Sequence, residues 1–228
     1  MYNKTWSDYS SYFSAKSLIA GFTNKHFPHS SSNDRIEFAK ILKLNFEKLI
    51  IPQQIHSGNA TICNESGQLF DTDGIITNNK IFVLSLQVAD CIPLYLYDVQ
   101  NKNIGLIHAG WHGVASGIIE NSITELNKLV SNPINIKVLL GPSIRQCCFE
   151  VGPEVAKLFN NKYQVIGKND RMQLDLQSVV IDILINMKIN HENIIDVKEC
   201  TCCSDNYHSF RRDGDKSGRM IAMMGWQS

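Results

Sequence analysis

Apolar residues recur along this chain in two rhythms, and the change from one to the other divides it. Residues 81–88 and 92–97 are short apolar runs that predict strands, and polar residues 98–103 turn the chain back. The next segment, Gly105-Leu106-Ile107-His108-Ala109-Gly110-Trp111-His112-Gly113, then lies beside Val88-Ala89-Asp90-Cys91-Ile92-Pro93, so an imidazole and a thiol reach one rim. Upstream, residues 19–22 predict a short strand and 23–33 an exposed loop rich in Ser, Asn and His. Ile36, Phe38, Ala39, Ile41 and Leu42 predict a helix capped by Asn33 or Asp34 and ended at Lys43. A strand starting at 49–51 runs past Pro52 towards Gln54-Ile55-His56; another covers 60–63. Turns over 64–68 and 71–74 precede Ile75-Ile76-Thr77.

Beyond Gly113 the period lengthens. Ile118, Ile119, Ile123, Leu126, Leu129 and Val130 recur at three- and four-residue steps and predict a helix, stopped by Asn132-Pro133. A strand over 136–140 closes at Gly141-Pro142-Ser143, and Pro153 opens a short helix through Phe159. A further helix spans 176–187, and 194–197 is a last short strand. No repeat or linker interrupts the series, so residues 1–228 read as one domain, a mixed α/β sheet covered by helices.

Composition narrows the function classes. With 228 residues, 43% of them apolar, the chain can fill a sizeable core. Its 22 basic and 22 acidic residues cancel, which removes any global electrostatic case for nucleic acid or membrane, so an anion site must be local. The first residues lack a signal-peptide core and no run has the length of a membrane span, which leads to the expectation of a cytoplasmic protein. Seven cysteines, with adjacent pairs at Cys147-Cys148 and Cys202-Cys203, point to thiols or ligands rather than a secreted disulfide framework.

Three residues could form a metal site. His56, Cys91 and His108 offer two nitrogens and one sulfur, and three ligands leave a fourth position open. Zinc favours that mixture, and copper accepts the same donors. The ordinary alternative is a small buried thiol and two hydrogen-bonded imidazoles. His108 and His112 stand four apart, but no glutamate lies between them and the flanking glycines indicate a turn. Cys200-Thr201-Cys202-Cys203 is half a zinc knuckle without a second pair unless His208 joins it, and its ordinary reading is buried thiols. Near the carboxyl end, Arg211, Arg212 and Arg219 lie in a Gly-containing loop. With Ser209 or Ser217 they could hold an anion, or they pair with Asp213 and Asp215 as a solvated turn.

Five motifs in order carry a family resemblance: Gln54-Ile55-His56, Ala89-Asp90-Cys91-Ile92-Pro93, the His108 segment, Gly141-Pro142-Ser143-Ile144 with Glu150-Val151-Gly152, and Ser209-Phe210-Arg211-Arg212-Asp213-Gly214 with Ser217-Gly218-Arg219. From about Gly21 to Met224 the chain resembles the laccase-domain family, also called polyphenol oxidase, purine nucleoside phosphorylase or peptidoglycan editing factor. The resemblance implies a single domain of α/β/β/α layers in which His56, Cys91 and His108 hold one catalytic zinc, with copper in the older assignments. It implies phosphorolysis of inosine, guanosine, adenosine or methylthioadenosine, with phosphate as co-substrate, and deamination of adenosine. Phenol oxidation and hydrolytic editing of a peptidoglycan precursor are the alternatives within it; a metal clip in a non-enzymatic binding module lies outside it. Carried onto this chain, Asp90 becomes a proton carrier or a partner of the ligands beside Cys91 and His108. Lys25, Ser209, Arg211, Arg212 and Arg219 become the phosphate and substrate contacts. Two positions depart from the family pattern: His112 replaces a usual Arg, and Thr23-Asn24-Lys25-His26-Phe27 lacks the usual glycines and has Lys25 for Arg.

Overall fold

The structure is a computed structural model that describes residues 5–28 and 33–227. Its strands are β1 (Trp6–Asp8), β2 (Leu18–Thr23), β3 (Leu49–Pro52), β4 (Ala60–Ile62), β5 (Gly67–Leu69), β6 (Gly74–Thr77), β7 (Val83–Val88), β8 (Ile92–Asp98), β9 (Ile104–Ala109), β10 (Ile136–Leu140), β11 (Glu150–Val151), β12 (Gln164–Ile166), β13 (Met172–Leu174), β14 (Ile194–Asp196) and β15 (Met220–Trp226). The helices are α1 (Ser10–Phe13), α2 (Asp34–Ile41), α3 (Trp111–Ala115), α4 (Ile118–Lys128), α5 (Pro153–Ala156), α6 (Leu176–Asn186) and α7 (Phe210–Asp213).

Two mixed six-stranded sheets form the body. The first has the order β1-β2-β15-β7-β3-β5 and the second β14-β10-β8-β9-β6-β4; β11-β13-β12 make a small third sheet. Side chains alternate across each strand, and here both faces are buried. Along β8, Ile92, Leu94 and Leu96 join α4 and α6 in one core, while Tyr95 and Tyr97 point the other way. They meet Phe22, Leu84, Leu86, Met220, Ala222 and Met224 of the first sheet. The opposite face of that sheet, through Val83, Ile221 and Met223, packs on Phe38 and Ala39 of α2. The layers are therefore helix, sheet, sheet, helix, in one compact α+β domain.

This architecture decides where the chemistry collects. β3 and β7 belong to the first sheet, whereas β4 and β8 belong to the second, so the chain crosses between sheets over residues 53–59 and again over 89–91. Those crossings carry His56 and Cys91. In the antiparallel pair β8 and β9, Pro93 stands opposite His108, which brings the third residue alongside.

Several expectations need correction. The strand through Pro52 stops there, because the chain turns at the sheet edge, Gln53 N–H bonding to the Leu69 carbonyl. The turn expected over 64–68 contains the start of β5. A short helix, α3, precedes the one read from Ile118. The central strand β15 and the small third sheet were not anticipated. Residues 29–32 of the expected loop lie outside the described residues. Among the described residues no helix is long and apolar enough to cross a membrane.

Tyr95 ties the two sheets by donating its hydroxyl to the Gly21 carbonyl across the interface, at 2.8 Å and fully buried. Tyr95→Phe should lower the unfolding free energy by about 1 kcal/mol in urea titrations, with an unchanged denaturant slope.

Candidate metal centre

The ligating atoms of His56, Cys91 and His108 all lie within 4.8 Å of one another. The two imidazoles stand edge to face with their centroids 4.6 Å apart. His108 is buried, Cys91 half-buried and His56 exposed, so solvent and small molecules reach the trio from the His56 side. Two corners of the chain create this arrangement. His56 has φ 61° and Asp90 φ 85°, both in the left-handed region that side chains other than glycine enter at a cost. Strain of this kind persists where the surroundings over-determine it.

Asp73 supplies much of that constraint. Its carboxylate receives the His108 Nδ1 proton at 2.8 Å, the His56 and Ser57 amides at 3.0 and 2.7 Å, and the Ser57 hydroxyl at 2.7 Å. One fully buried group thus orients the His108 ring, leaving Nε2 for a metal, and holds the backbone that carries His56. The sequence offered Asp73 only as a turn residue ahead of Gly74.

Charges inside the trio favour ligation. Burial opposes ionisation of Asp73, yet the His108 and Ser57 hydrogen bonds hold its pKa down to about 2. Without a metal, Cys91 is likewise opposed by burial, but the His108 charge and hydrogen bonds from both histidines lower it to about 6. His108 is pushed up to about 9: burial works against its charge, and Cys91 and Asp73 outweigh that. The metal-free protein therefore holds a thiolate–imidazolium pair ready to exchange its proton for a cation.

Close packing leaves no room for error. A Cβ on Gly110 would sit 2.9 Å from Cys91 Sγ and 3.2 Å from His56 Cδ2. Its φ of −79° suits any residue, so space is what demands glycine. His112, on the first turn of α3, places Nδ1 2.8 Å from the His56 carbonyl and so must donate there. It thereby braces the His56 corner.

The residues expected to bind anions divide into two groups. Asp90 accepts from the Thr201 hydroxyl at 2.6 Å, the Ser209 hydroxyl at 3.0 Å and the Arg211 amide at 2.7 Å, so its carboxylate fastens the carboxyl-terminal loop to the crossing that carries Cys91. Ser209 is fully buried and caps α7, accepting from the Arg212 amide. Its hydroxyl proton goes to Asp90. The Arg212 guanidinium is spent on the carbonyls of Thr201, Cys202, Ser204 and Tyr207 and on Asp213. It is a clamp on the loop. Arg211 and Arg219 are exposed and each engages main-chain carbonyls through NH1, of Cys148 for Arg211 and of Ser217 and Gly218 for Arg219. The Lys25 amide donates to the Asn206 carbonyl at 2.9 Å, which sets the early loop beside the arginine loop.

With fold and site defined, the class of protein follows from comparison. The sequence profile described as multi-copper polyphenol oxidoreductase laccase matches residues 7–227, and the chain belongs to that family. The purine nucleoside phosphorylase YlmD of Bacillus subtilis is 34% identical over 251 residues, covering 92% of this chain and 89% of its own. Adenosine deaminase RL5, from an unknown prokaryotic organism, is 28% identical over 203 residues, 81% of this chain and 78% of its own. Among solved structures, a Bacillus licheniformis hypothetical protein YfiH aligns with a TM-score of 0.86 at 28% identity, covering 92% of each chain. YlmD of Geobacillus stearothermophilus shares the fold with a TM-score of 0.91 at 24% identity, over 100% of this chain and 98% of that one.

Two measurements probe the centre. Asp73→Asn should weaken metal binding about 10- to 100-fold in competition with a chelating indicator while leaving the far-ultraviolet spectrum intact. Because His108 keeps its proton up to about 9, metal binding below that pH displaces it. Apparent affinity should therefore fall by about tenfold per pH unit on acidification, and more steeply once Cys91 also protonates near 6.

Proposed function

We propose that the chain is a zinc-dependent purine nucleoside enzyme. At His56, Cys91 and His108 it catalyses phosphorolysis of inosine, guanosine, adenosine or methylthioadenosine and deamination of adenosine. The observation that carries this reading is a two-nitrogen, one-sulfur ligand set, open on its His56 side, in a chain whose relatives are named purine nucleoside phosphorylase and adenosine deaminase. A zinc ion held there supplies Lewis acidity and water activation near neutral pH.

The protein's own groups do the rest. In phosphorolysis a phosphate oxygen bonds to the anomeric carbon as the bond to the purine nitrogen breaks, and the base leaves with a proton. Arg211, Arg219 and Lys25 bind and orient the phosphate, whose charge guanidinium groups match in geometry. Arg212, Ser209 and Asp90 position the loop that carries those arginines. In deamination water adds at purine C6 and ammonia departs, with no anion required. Asp90 acts in both by holding the backbone next to Cys91.

The test is chromatography of products from the zinc-loaded protein with adenosine and inosine, with and without phosphate, beside Cys91→Ala. Phosphate-dependent adenine or hypoxanthine, or phosphate-independent inosine from adenosine, absent from the variant, is the expected result; no product from any nucleoside would overturn the proposal. Arg211→Ala and Arg219→Ala should raise the KM for phosphate about tenfold or more with less effect on the nucleoside KM. Arg212→Ala should instead lower thermal stability and impair both constants together.

The donor set also favours a second reading, because two imidazoles and one thiolate suit copper as well as zinc. An intense thiolate-to-copper absorption with turnover of phenols, and no nucleoside product from the zinc form, would replace the first reading with this one.

A further inference from the structure

Two pairs of cysteines that lie far apart in the sequence come together away from the His56 site. Cys147 and Cys148 follow β10, and Cys200 and Cys203 follow β14. β10 and β14 are parallel neighbours, so the loops at their carboxyl ends leave the sheet side by side. Their pairing continues beyond the strands. Ser143 bridges Cys200, its amide donates to the Glu199 carbonyl at 3.2 Å, and the Thr201 amide donates to the Ser143 carbonyl at 3.1 Å. Gln177 of α6 fastens the same turn through Ser143 Oγ and the Ile144 carbonyl.

All four sulfurs lie within 4.8 Å of one another. Cys147 Sγ is 3.8 Å from Cys148, 3.7 Å from Cys200 and 3.5 Å from Cys203, and Cys148 is 3.2 Å from Cys203. A tetrahedron with zinc–sulfur bonds of about 2.3 Å has edges of about 3.8 Å. The four separations fall at or just below that edge, and the remaining two lie within 4.8 Å, so the cluster is close to the size that surrounds an ion. Cys200 and Cys203 also have the two-residue separation with which thiolates commonly grip one metal from a single turn. A single disulfide would employ only two of the four sulfurs, and a pair of disulfides would not need all four to converge on one centre.

We propose that Cys147, Cys148, Cys200 and Cys203 hold a second, structural zinc ion, closed by four thiolates and separate from the three-residue centre. Four protein ligands leave no open position, so the ion binds no substrate. It acts by knotting the two loops that build one wall beside the other site. Thr201, between Cys200 and Cys203, donates its hydroxyl to Asp90, the residue before Cys91. The Cys148 carbonyl receives Arg211, and the carbonyls of Thr201, Cys202 and Ser204 receive Arg212. An ion at the four sulfurs therefore fixes the backbone on which both arginines rest.

The test isolates this site in a Cys91→Ala background, where the three-residue centre has no thiolate. Protein purified under reducing conditions should retain about one zinc per chain by elemental analysis. Cobalt loading should produce sulfur-to-metal charge-transfer absorption, to which the three-residue centre can then contribute no thiolate. Cys147→Ser with Cys203→Ser should abolish both signals. If that double variant fails to fold, alkylation of the otherwise unaltered protein decides: peptides carrying the four cysteines should be protected until a chelator is added. Zinc-free protein with all four thiols alkylated at once, or a Cys148–Cys203 disulfide recovered instead of metal, would overturn the proposal.

Discussion

The centre depends on the bond between Asp73 and His108. A carboxylate without solvent contact, held ionised down to a pH of about 2, fixes the tautomer of His108 and at the same time gathers the amides of the His56 corner. Because the same carboxylate serves both segments, the His108 ring and the backbone that carries His56 cannot be repositioned independently. Second partners of this sort set ligand basicity and orientation as strongly as the ligands set coordination. The buried backbone repeats the link, the His108 amide donating to the Asp73 carbonyl at 2.8 Å.

The sandwich explains why that bond falls where it does. Two crossings between the sheets, over 53–59 and 89–91, bend the chain sharply enough to put His56 and Asp90 in left-handed conformations, and β9 ends against both. β15 begins opposite Val88, so the arginine loop that precedes it is delivered to the same rim. Asp90 closes the assembly by bonding to Thr201, Ser209 and Arg211. The metal ligands, the loop clamp and the exposed cations are therefore parts of one connected scaffold rather than separate features on a surface.

Periodicity made most of the second sheet legible. The runs at β8, β9 and β10 and the helical spacing of α4 and α6 lie close to their observed bounds. Cys91 and His108 could be paired from sequence because a short antiparallel turn joins their strands. β15 was missed because Met220, Ala222 and Met224 face one core while Ile221 and Met223 face another, which erases the polar alternation of a half-buried strand. Asp73 looked like an ordinary turn acid, since nothing local says that a carboxylate will be buried against a histidine 35 residues away. The roles of Ser209 and Arg212 were equally hidden, because a cap and a carbonyl clamp carry the same residue types as an anion site. The four cysteines could not be joined either: Cys147 and Cys200 are 53 residues apart, and only the parallel pairing of β10 and β14 makes them neighbours.

The central claim is that His56, Cys91 and His108 ligate one ion while Asp73 holds the His108 ring. A crystal of the zinc-loaded protein, measured on both sides of the zinc absorption edge, tests it most directly. The account predicts an anomalous peak bonded to the Nε2 atom of His108, a nitrogen of His56 and the sulfur of Cys91, with the His108 Nδ1 still bonded to Asp73. A map with no peak among these three residues, or with the His108 ring turned away from Asp73, would contradict it.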